Sequence, residues 1–426
     1  MNIFIGLVEV AGRNRALKYG LEQLGHQVTF LDLSNHRMSY GGETDFFLAR
    51  KVKLFAGKRR NSNRVFKFFL IPIEFFLRIL LFLKVFLKND VFLYSFGTSF
   101  FSFFDYRIIK FFNKKLICQF HGSDSRPAYL DGARLVNSDY SLLKCKNDAE
   151  KQKKMIAFID KYADEIIDIP PQGYFHERPF ILRLIVGLPS GPHQNTPVTT
   201  LPKPNGRIRI LHAPSDRRYK GSDEIKQIIS SLSDQYSIDY VEISNLKNDQ
   251  VIEEIKKADI VIDQLYTDYA LTGFPSEAAW FKKPVITCGN SVELWKSLLP
   301  KEFLPPTVYC LPKFFKSELE HLLRDKAYRE DLGLKMYNFI STTHNPKIVA
   351  ARYLMVFSGN YPKTWLFDPN KMTEIYGGFF SPTQTVKACV KGIIEHYGDS
   401  SLMLDDKPEL KSKLVKWAFD EFSRSD

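Results

Sequence analysis

Two neighbouring stretches decide the fold: ADIVIDQ at 258–264 and GFPSEAAWFKKPVIT at 273–287. The apolar run 260–262 is short and β-branched, which is typical of a buried strand in a parallel sheet. Gly273 predicts a tight loop after that strand, and Ser276 is a predicted helix cap. A second apolar strand follows the helix, so the segment predicts one β–loop–α–β unit.

A strand, a glycine loop and a helix N-terminus in this order are suited to a nucleotide. The backbone N–H groups and the positive end of the helix dipole favour a phosphate. Glu277, just inside the predicted helix, carries a carboxylate that can accept hydrogen bonds from both hydroxyls of a ribose. We therefore predict nucleotide contacts at Gly273, Phe274 and Glu277.

A second stretch, RIRILHAPSDRRYKG at 207–221, predicts a strand followed by basic residues. Arg217, Arg218 and Lys220 are well placed to neutralise a diphosphate. His212, at the end of the strand, is a candidate to lie under the nucleotide. Because ligands bind at the carboxyl ends of strands in open α/β sheets, both stretches are expected to border one site.

The N-terminal residues predict the start of a separate half-fold. A strand over 2–8, a loop with Gly12, a helix over 13–24 and a strand over 28–33 form another β–loop–α–β unit. Gly12 would let a phosphate approach the backbone closely. Gly6 and Gly12 do not form G-x-G-x-x-G, so the dinucleotide-binding fingerprint is absent.

Composition changes over 187–206, where prolines and glycines replace large apolar residues. We therefore predict a first domain over 1–190, a linker over 191–206 and a second domain over 207–384. The remaining residues, 385–426, are predicted to form C-terminal helices.

The chain resembles the family-4 retaining glycosyltransferases, which have the two-domain GT-B fold. The resemblance is carried by HAPSDRRYKG at 212–221, by the two stretches quoted first and by QFHGSDSR at 119–126. It is good over 207–290 and loose elsewhere. It implies an α/β fold of two Rossmann-like domains that face a cleft, with a C-terminal helix that crosses back to the first domain.

The resemblance also implies roles for individual residues. The basic residues 217–220 would bind the diphosphate of a sugar donor, and Glu277 its ribose. His121 would lie near the transferred sugar. Asp124 would orient His121 or contact an acceptor hydroxyl, and Arg126 would bind a phosphate on the acceptor or pair with Asp124.

Two positions depart from the family pattern. Eight residues before Glu277, where the family has a glutamate that contacts the donor sugar, this chain has Tyr269. Five residues before Lys220, where the family has an arginine, it has Ser215. The identity of the sugar is therefore open, and either Arg217 or Arg218 is the substitute diphosphate ligand.

The positive charge is concentrated in residues 50–88, which carry +10 of the net +12. The Phe- and Leu-rich segment 66–88 has too many charges for a membrane-spanning helix and predicts a basic amphipathic helix at a membrane surface. Lys67, Arg78, Lys84 and Lys88 are the predicted membrane contacts. In the alternative interpretation, the Phe and Leu side chains face the core of the first domain and the basic residues are simply solvated.

No nucleic-acid-binding motif accompanies the charge, and we predict no nucleic-acid partner.

The five cysteines are scattered and form no C-x-x-C pair. Neither a disulfide framework nor a metal site is predicted, and the pattern favours the reducing cytosol. No D-x-D-like motif is present, and we expect neither a cofactor nor a metal.

Together these features predict a cytoplasmic glycosyltransferase at the inner face of the membrane. It would transfer a sugar, with retention and without a metal, from a nucleoside-diphosphate sugar to a bacterial cell-envelope acceptor. That acceptor would be a capsular or lipopolysaccharide glycan, either free or lipid-linked. Two alternatives stay open: a nucleotide-sugar-binding scaffold or inactive GT-B subunit, and a GT-B sugar-nucleotide epimerase or hydrolase.

Overall fold

The computed structural model describes residues 1–34, 46–137, 140–190 and 206–420. The predicted linker over 191–206 lies outside the described residues except for Gly206.

The first domain is built on a parallel sheet whose strands are Val/Ile/Leu/Phe-rich and buried, as expected of a sheet covered on both faces. Six of its strands have the spatial order β2-β1-β3-β4-β5-β6. These strands are β1 (Asn2–Leu7), β2 (Gln27–Asp32), β3 (Val91–Ser95), β4 (Lys115–Gln119), β5 (Glu165–Asp168) and β6 (Phe180–Leu182). The helices are α1 (Arg13–Gln23), α2 (Phe47–Asn61), α3 (Arg64–Lys88), α4 (Phe104–Phe111), α5 (Gly132–Leu135), α6 (Leu142–Tyr162) and α7 (Arg183–Val186).

The second domain has a five-stranded parallel sheet in the order β8-β7-β9-β10-β11. Its strands are β7 (Ile208–His212), β8 (Ile238–Glu242), β9 (Ile260–Ile262), β10 (Val285–Cys288) and β11 (Val308–Cys310). Its helices are α8 (Arg217–Lys220), α9 (Ser222–Leu232), α10 (Asn248–Lys257), α11 (Gly273–Trp280), α12 (Val292–Leu298), α13 (Phe315–Arg324) and α14 (Lys326–Thr343). In both sheets the first strand lies between the second and the third, which creates a topological switch point where ligands bind.

After α14 the chain returns to the first domain. The returning elements are α15 (Pro346–Ser358), β12 (Leu366–Phe367), α16 (Thr383–Tyr397) and α17 (Pro408–Phe419). α15 packs closely on α1, since a Cβ built at Gly20 would lie 2.0 Å from the carbonyl oxygen of Pro346. β12 pairs antiparallel with β6 at the edge of the first sheet. The second-domain boundary predicted at 384 is therefore wrong: the return begins by residue 346, because these later elements bury their apolar faces on the first domain.

The predicted fold class is confirmed: two Rossmann-like α/β domains of the GT-B type, with C-terminal helices that cross back to the first domain. The carboxyl ends of the two sheets face each other. Loops that follow β1 and β4 contact loops that follow β7 and β9, at the pairs Ala11–Gly273, Arg126–Asp268 and Asn137–Arg218.

Two local expectations are wrong. The sequence predicts a loop and basic connector over 34–65, but α2 occupies 47–61 and packs against α3, with Arg59 bonded to the buried Glu74 at 2.6 Å. The helix whose predicted N-cap is Ser276 begins at Gly273, with Thr272 as its N-cap. The hydroxyl of Ser276 donates back to the Thr272 carbonyl oxygen at 2.7 Å, so Ser276 lies inside the helix.

Candidate active site

The N-terminal ends of α1 and α11 approach each other across the domain boundary. A Cβ built at Gly273 would lie 3.3 Å from the Cβ of Ala11, so a side chain there would crowd the opposite loop. Gly12 has a φ of 73°, and a Cβ built on it would meet no atom within 4 Å. The backbone of Gly12 therefore borders open space, as its predicted role requires.

The N-terminal ends of α1 and α11 differ in whether their backbone N–H groups are available to bind an anion. In α1 the backbone N–H groups of Asn14 and Arg15 each donate to the carboxylate of Glu9 at 3.1 Å. In α11 no side chain of the described residues caps the N-terminus. The free amides at the start of α11, with their positive dipole end, are therefore the better phosphate site.

Lys220 lies beside the start of α11. Its Nζ is 3.5 Å from Oδ1 of Asp263, while Oδ2 of Asp263 accepts a hydrogen bond from the Thr272 hydroxyl at 3.0 Å. Asp263 thus links the predicted diphosphate ligand to the N-cap of α11. A long ion pair of this kind leaves the ammonium group able to turn towards a second anion.

Arg217 and Arg218 point away from that position. Arg217 pairs with Glu242 and with Asp223, the latter at 2.5 Å. Arg218 pairs with Asp216 at 2.7 Å and donates to Asn137 of the first domain at 3.3 Å. Both side chains are exposed, and Arg218 is the one that reaches across the cleft.

Glu277 lies on α11, half-buried, one turn from the helix start. Its Oε1 accepts a hydrogen bond from the Asn248 amide at 2.7 Å. Burial raises the pKa of Glu277 to about 7, although the Asn248 bond lowers it. Phe274, one turn earlier, is half-buried against the hydrophobic core.

His212 is fully buried at the end of β7. Its Nδ1 lies 3.0 Å from the Ile262 carbonyl oxygen and its Nε2 lies 2.8 Å from the Ser222 hydroxyl. Both ring nitrogens are therefore engaged in holding β7 to β9 and α9. Burial lowers the pKa of His212 to about 4, so the ring is neutral, and no ring nitrogen is left for the predicted nucleotide contact.

His121 lies at the end of β4, with its ring stacked near Phe96 at a centroid distance of 6.5 Å. Neither ring nitrogen has a hydrogen-bond partner among the described residues, although both are buried. Burial, with the charges of Arg183 and Arg13, holds the pKa of His121 well below its usual value. A neutral imidazole with two open nitrogens is suited to contact sugar hydroxyls.

Asp124 shapes the loop that carries His121. Its carboxylate accepts from the backbone N–H of His121 at 3.0 Å and of Gly122 at 2.7 Å. Of the two predicted alternatives, this geometry favours orientation of His121, through the backbone. Burial, reinforced by the nearby charge of Asp168, raises the pKa of Asp124 to about 6.

Arg126 does not pair with Asp124, and two other carboxylates already neutralise its charge. The side chain is 3% exposed and forms ion pairs with Asp131, at 3.4 Å, and with Asp268 of the second domain. Asp268 also accepts from the Gln172 amide at 2.9 Å and from the Gly378 backbone at 3.0 Å. This cluster is an interdomain clasp, which leaves only the buried Nε of Arg126 without a partner.

Three residues that the sequence interpretation did not place in the site border the same space: Arg13, Arg183 and Tyr269. The Tyr269 hydroxyl and the Arg183 Nε are buried without a hydrogen-bond partner in the part of the chain that the structure describes. Arg13 had a usable signal, since it directly follows Gly12, and Tyr269 had been noted only as a departure from the family. Arg183 follows a short apolar strand and had no local signal.

The predicted membrane residues lie on α3, in two environments. The N-terminal half of α3 exposes apolar side chains all round: Val65, Phe66, Phe68, Phe69, Ile71, Ile73, Phe75 and Phe76. The C-terminal half buries Leu81, Phe82, Val85 and Phe86 in the first-domain core. The alternative in which the Phe and Leu side chains face the core is therefore correct only for the second half.

The four basic residues also differ. Lys84 and Lys88 are exposed and Lys67 is half-buried, whereas Arg78 pairs with Glu74 at 3.1 Å and so joins the α2–α3 contact. A groove of about 690 Å³ between α2 and α3 has Lys53 and Lys58 on its wall together with Leu54, Phe66 and Leu70. Within the described part of the chain, no helix is long and apolar enough to cross a bilayer.

Over the described ranges, no group of three or more His, Cys, Asp or Glu side chains is arranged to hold a metal ion. All five cysteines are free thiols.

Comparisons with known proteins found no matching family model and no matching curated protein. Among solved structures, the chain is similar to HepE of Anabaena in complex with UDP-glucose, with 8% identity and a TM-score of 0.44 over 84% of this chain and 99% of that one. It is also similar to the kitacinnamycin glycotransferase, with 10% identity and a TM-score of 0.43 over 84% and 98%. The glycosyltransferase SnogD from Streptomyces nogalater gives 12% identity and a TM-score of 0.38 over 83% and 99%. The fold assignment rests on the sheet topology described above.

Proposed function

We propose that the chain is a glycosyltransferase that uses a nucleoside-diphosphate sugar. The observation that carries this proposal is the uncapped N-terminus of α11, which lies between Lys220 on one side and the Gly12 loop of the first domain on the other. A cleft between two Rossmann-like sheets, with a phosphate site at its centre, is suited to a nucleotide whose sugar projects towards the opposite domain.

In the proposed reaction the bond between the anomeric carbon and the departing phosphate oxygen breaks. The negative charge that develops on the diphosphate is stabilised by Lys220 and by the start of α11. An acceptor hydroxyl attacks the same face of the sugar, and its proton passes to the departing phosphate oxygen, so configuration is retained. His121 would contact the sugar during transfer, in an orientation set by Asp124. No step of this scheme requires a metal.

Donor binding is the first test. A thermal-shift panel of UDP, GDP, ADP, CMP and dTDP would be run on the wild type and on Glu277→Ala. A nucleotide at 100 times its dissociation constant adds about 2.7 kcal/mol to the free energy of unfolding. For a protein of 426 residues, we expect a rise in Tm of about 3 °C.

One diphosphate nucleotide should stabilise the wild type and not Glu277→Ala. Glu253→Ala is the matched control, since Glu253 lies exposed on α10 and its one ion pair among the described residues is with Lys256. The absence of a shift with every nucleotide would overturn the proposal.

One observation favours a second candidate, a binding subunit without catalytic activity. Tyr269 stands where the resembling family has a carboxylate, and it is buried. Such a subunit would bind the nucleotide but release no diphosphate with any acceptor extract. Release with the donor alone would instead indicate a hydrolase, and a changed sugar on the nucleotide would indicate an epimerase.

The proposal includes an envelope or capsular glycan as acceptor, reached at the cytoplasmic face of the membrane. It is supported by the exposed apolar half of α3 and by the basic residues on and beside it. Exposed patches of this kind mark interaction sites. Basic residues near an anionic leaflet contribute on the order of 1 kcal/mol each, and inserted phenylalanines add to this.

A further inference from the structure

Arg183 carries a buried positive charge with no carboxylate partner among the described residues. It is 3% exposed. One Nη donates to the Phe120 carbonyl oxygen, the other to the Gln172 side-chain oxygen at 3.5 Å, and Nε donates to nothing. Both acceptors are neutral. A buried charge without a counter-charge is costly, so this guanidinium indicates room for an anion.

A second arginine lies nearby. Arg13 is the first residue of α1, and its side chain forms neither a hydrogen bond nor an ion pair with any residue in the described ranges. Burial and the charge of Arg183 lower the pKa of Arg13 to about 10. Glu9, on the same loop, has both carboxylate oxygens engaged by backbone amides of α1. Arg13 and Arg183 therefore lie in the same region. The adjacent carboxylate, that of Glu9, already accepts hydrogen bonds from backbone N–H groups.

Neutral polar groups complete this cluster. Among the described residues, the Tyr269 hydroxyl and both ring nitrogens of His121 are buried without partners, and the charges of both arginines act on each of these groups. Arg183 is bonded to the residue that precedes His121. Three side chains from both domains, Arg183, Tyr269 and His121, therefore have buried unsatisfied polar atoms in one region, and the half-buried Arg13 adds a second positive charge. Because buried polar atoms are normally paired, such a concentration indicates a missing ligand.

We propose that Arg13, Arg183, Tyr269 and His121 bind a carboxylate on the sugar of the donor, so that the transferred sugar is a sugar acid. This inference rests on the proposed function. A guanidinium fork matches a carboxylate with two parallel hydrogen bonds, and the phenol and the neutral imidazole can donate to it as well. Arg13 directly follows Gly12, which borders the proposed diphosphate site, so the anion lies within reach of a sugar attached to that diphosphate.

The first experiment does not depend on nucleotide binding. Saturation-transfer NMR would compare free glucuronate with glucose on the wild type, on Arg13→Gln and on Arg15→Gln. Arg15 is the matched control, two residues along the same helix and exposed. We expect a signal from glucuronate and not from glucose, lost in Arg13→Gln and kept in Arg15→Gln. Equal signals from the two sugars, or none from glucuronate, would overturn the inference.

The second experiment uses calorimetry on the nucleotide that stabilises the protein, in its free form and as its uronate and neutral-hexose conjugates. For UDP these are UDP-glucuronate and UDP-glucose. The uronate conjugate should bind about tenfold more tightly than the neutral one. Arg13→Gln and Tyr269→Phe should remove this difference and leave the affinity for the free nucleotide unchanged. Neither substitution replaces the fully buried guanidinium, so both variants are expected to fold.

The outcomes separate the two proposals. If Arg13→Gln weakens the free nucleotide as much as the uronate conjugate, the cluster binds the diphosphate and the sugar-acid inference is wrong. If both conjugates bind the wild type equally, it is also wrong. If no nucleotide binds at all, the proposed function fails, and the free-sugar comparison alone decides whether the cluster recognises a carboxylate.

Discussion

At the scale of single residues, we expect the protonation of Glu277 to make the proposed nucleotide binding depend on pH. Its carboxylate is half-buried and has one hydrogen-bond donor, Asn248, so burial dominates and the pKa rises to about 7 from the usual 4.5. The ionised form can accept a hydrogen bond from each ribose hydroxyl, whereas the protonated form loses one acceptor site. Nucleotide affinity should therefore rise between pH 6 and pH 8.

This prediction is tested by titration calorimetry across that range on the wild type and on Glu277→Gln. The glutamine variant should bind weakly and without pH dependence. A wild-type affinity that falls with pH would contradict the assigned role. The stability of the free protein should change in the opposite sense. Because the folded state binds the proton more tightly, Glu277 contributes less to the free energy of unfolding as pH rises from about 4.5 to about 7.

At the scale of elements, the two halves of α3 lie in different environments. The C-terminal half packs side chains into the core of the first domain, whereas the N-terminal half exposes its apolar side chains to solvent. Phe68 is 76% exposed and Phe69 is 63% exposed. Full burial of a phenylalanine stabilises by about 1.5–3 kcal/mol, so partial insertion of each into a bilayer should change partitioning by roughly tenfold. Phe68→Ser with Phe69→Ser should therefore release the protein from anionic vesicles in a flotation assay.

The matched control for this variant is Phe314→Ser, because Phe314 is an exposed phenylalanine of the second domain. It should leave the bound fraction unchanged, and both proteins should keep the wild-type Tm. Among the basic residues, Lys84→Glu and Lys88→Glu should weaken vesicle binding. Arg78→Ala should instead lower the Tm, because Arg78 holds Glu74 against α2. Equal flotation of the wild type and the double serine variant would exclude α3 as the membrane contact.

At the scale of the whole molecule, the buried pair of Arg126 and Asp268 joins the two domains. Each residue is about 3% exposed. Removal of one partner from a buried ion pair costs roughly 3–5 kcal/mol when the other charge is left without compensation. Arg126 keeps Asp131 at 3.4 Å, so the cost of losing Asp268 should be smaller than that. Asp268→Asn should therefore lower the Tm by several degrees and, since Asp268 also holds Gln172 and Gly378, widen the cleft in small-angle scattering.

Arg218→Ala provides the comparison, since Arg218 also crosses between the domains, to Asn137, but is exposed. An exposed contact of this kind contributes about 0–1 kcal/mol, so neither the Tm nor the radius of gyration should change measurably. A similar effect of both substitutions would show that the clasp has no special role in holding the domains.

Local patterns were sufficient for much of the fold and for part of the candidate site. The strand predicted over 260–262 matches β9 residue for residue, because a β-branched apolar run bounded by turn residues can be recognised from neighbours along the chain. The sequence likewise located the α11 helix and the basic residues after β7. It placed the N-cap of α11 at Ser276, four residues after the observed Thr272, since Gly273 and Pro275 are tolerated in a first helical turn as well as in a loop.

The sequence by itself therefore determined the two α/β half-folds, the candidate phosphate-binding turn at α11 and the candidate residues Lys220, Glu277 and His121. Tertiary structure alone decided which charges are neutralised and which polar groups stay unsatisfied. It paired Arg126 with Asp268 and exposed the phenylalanines of α3. It also brought together Arg13, Arg183 and Tyr269, which lie on three distant segments. Helix caps and strand periods arise from neighbours along the chain, whereas burial and ion pairing depend on contacts between residues far apart in it.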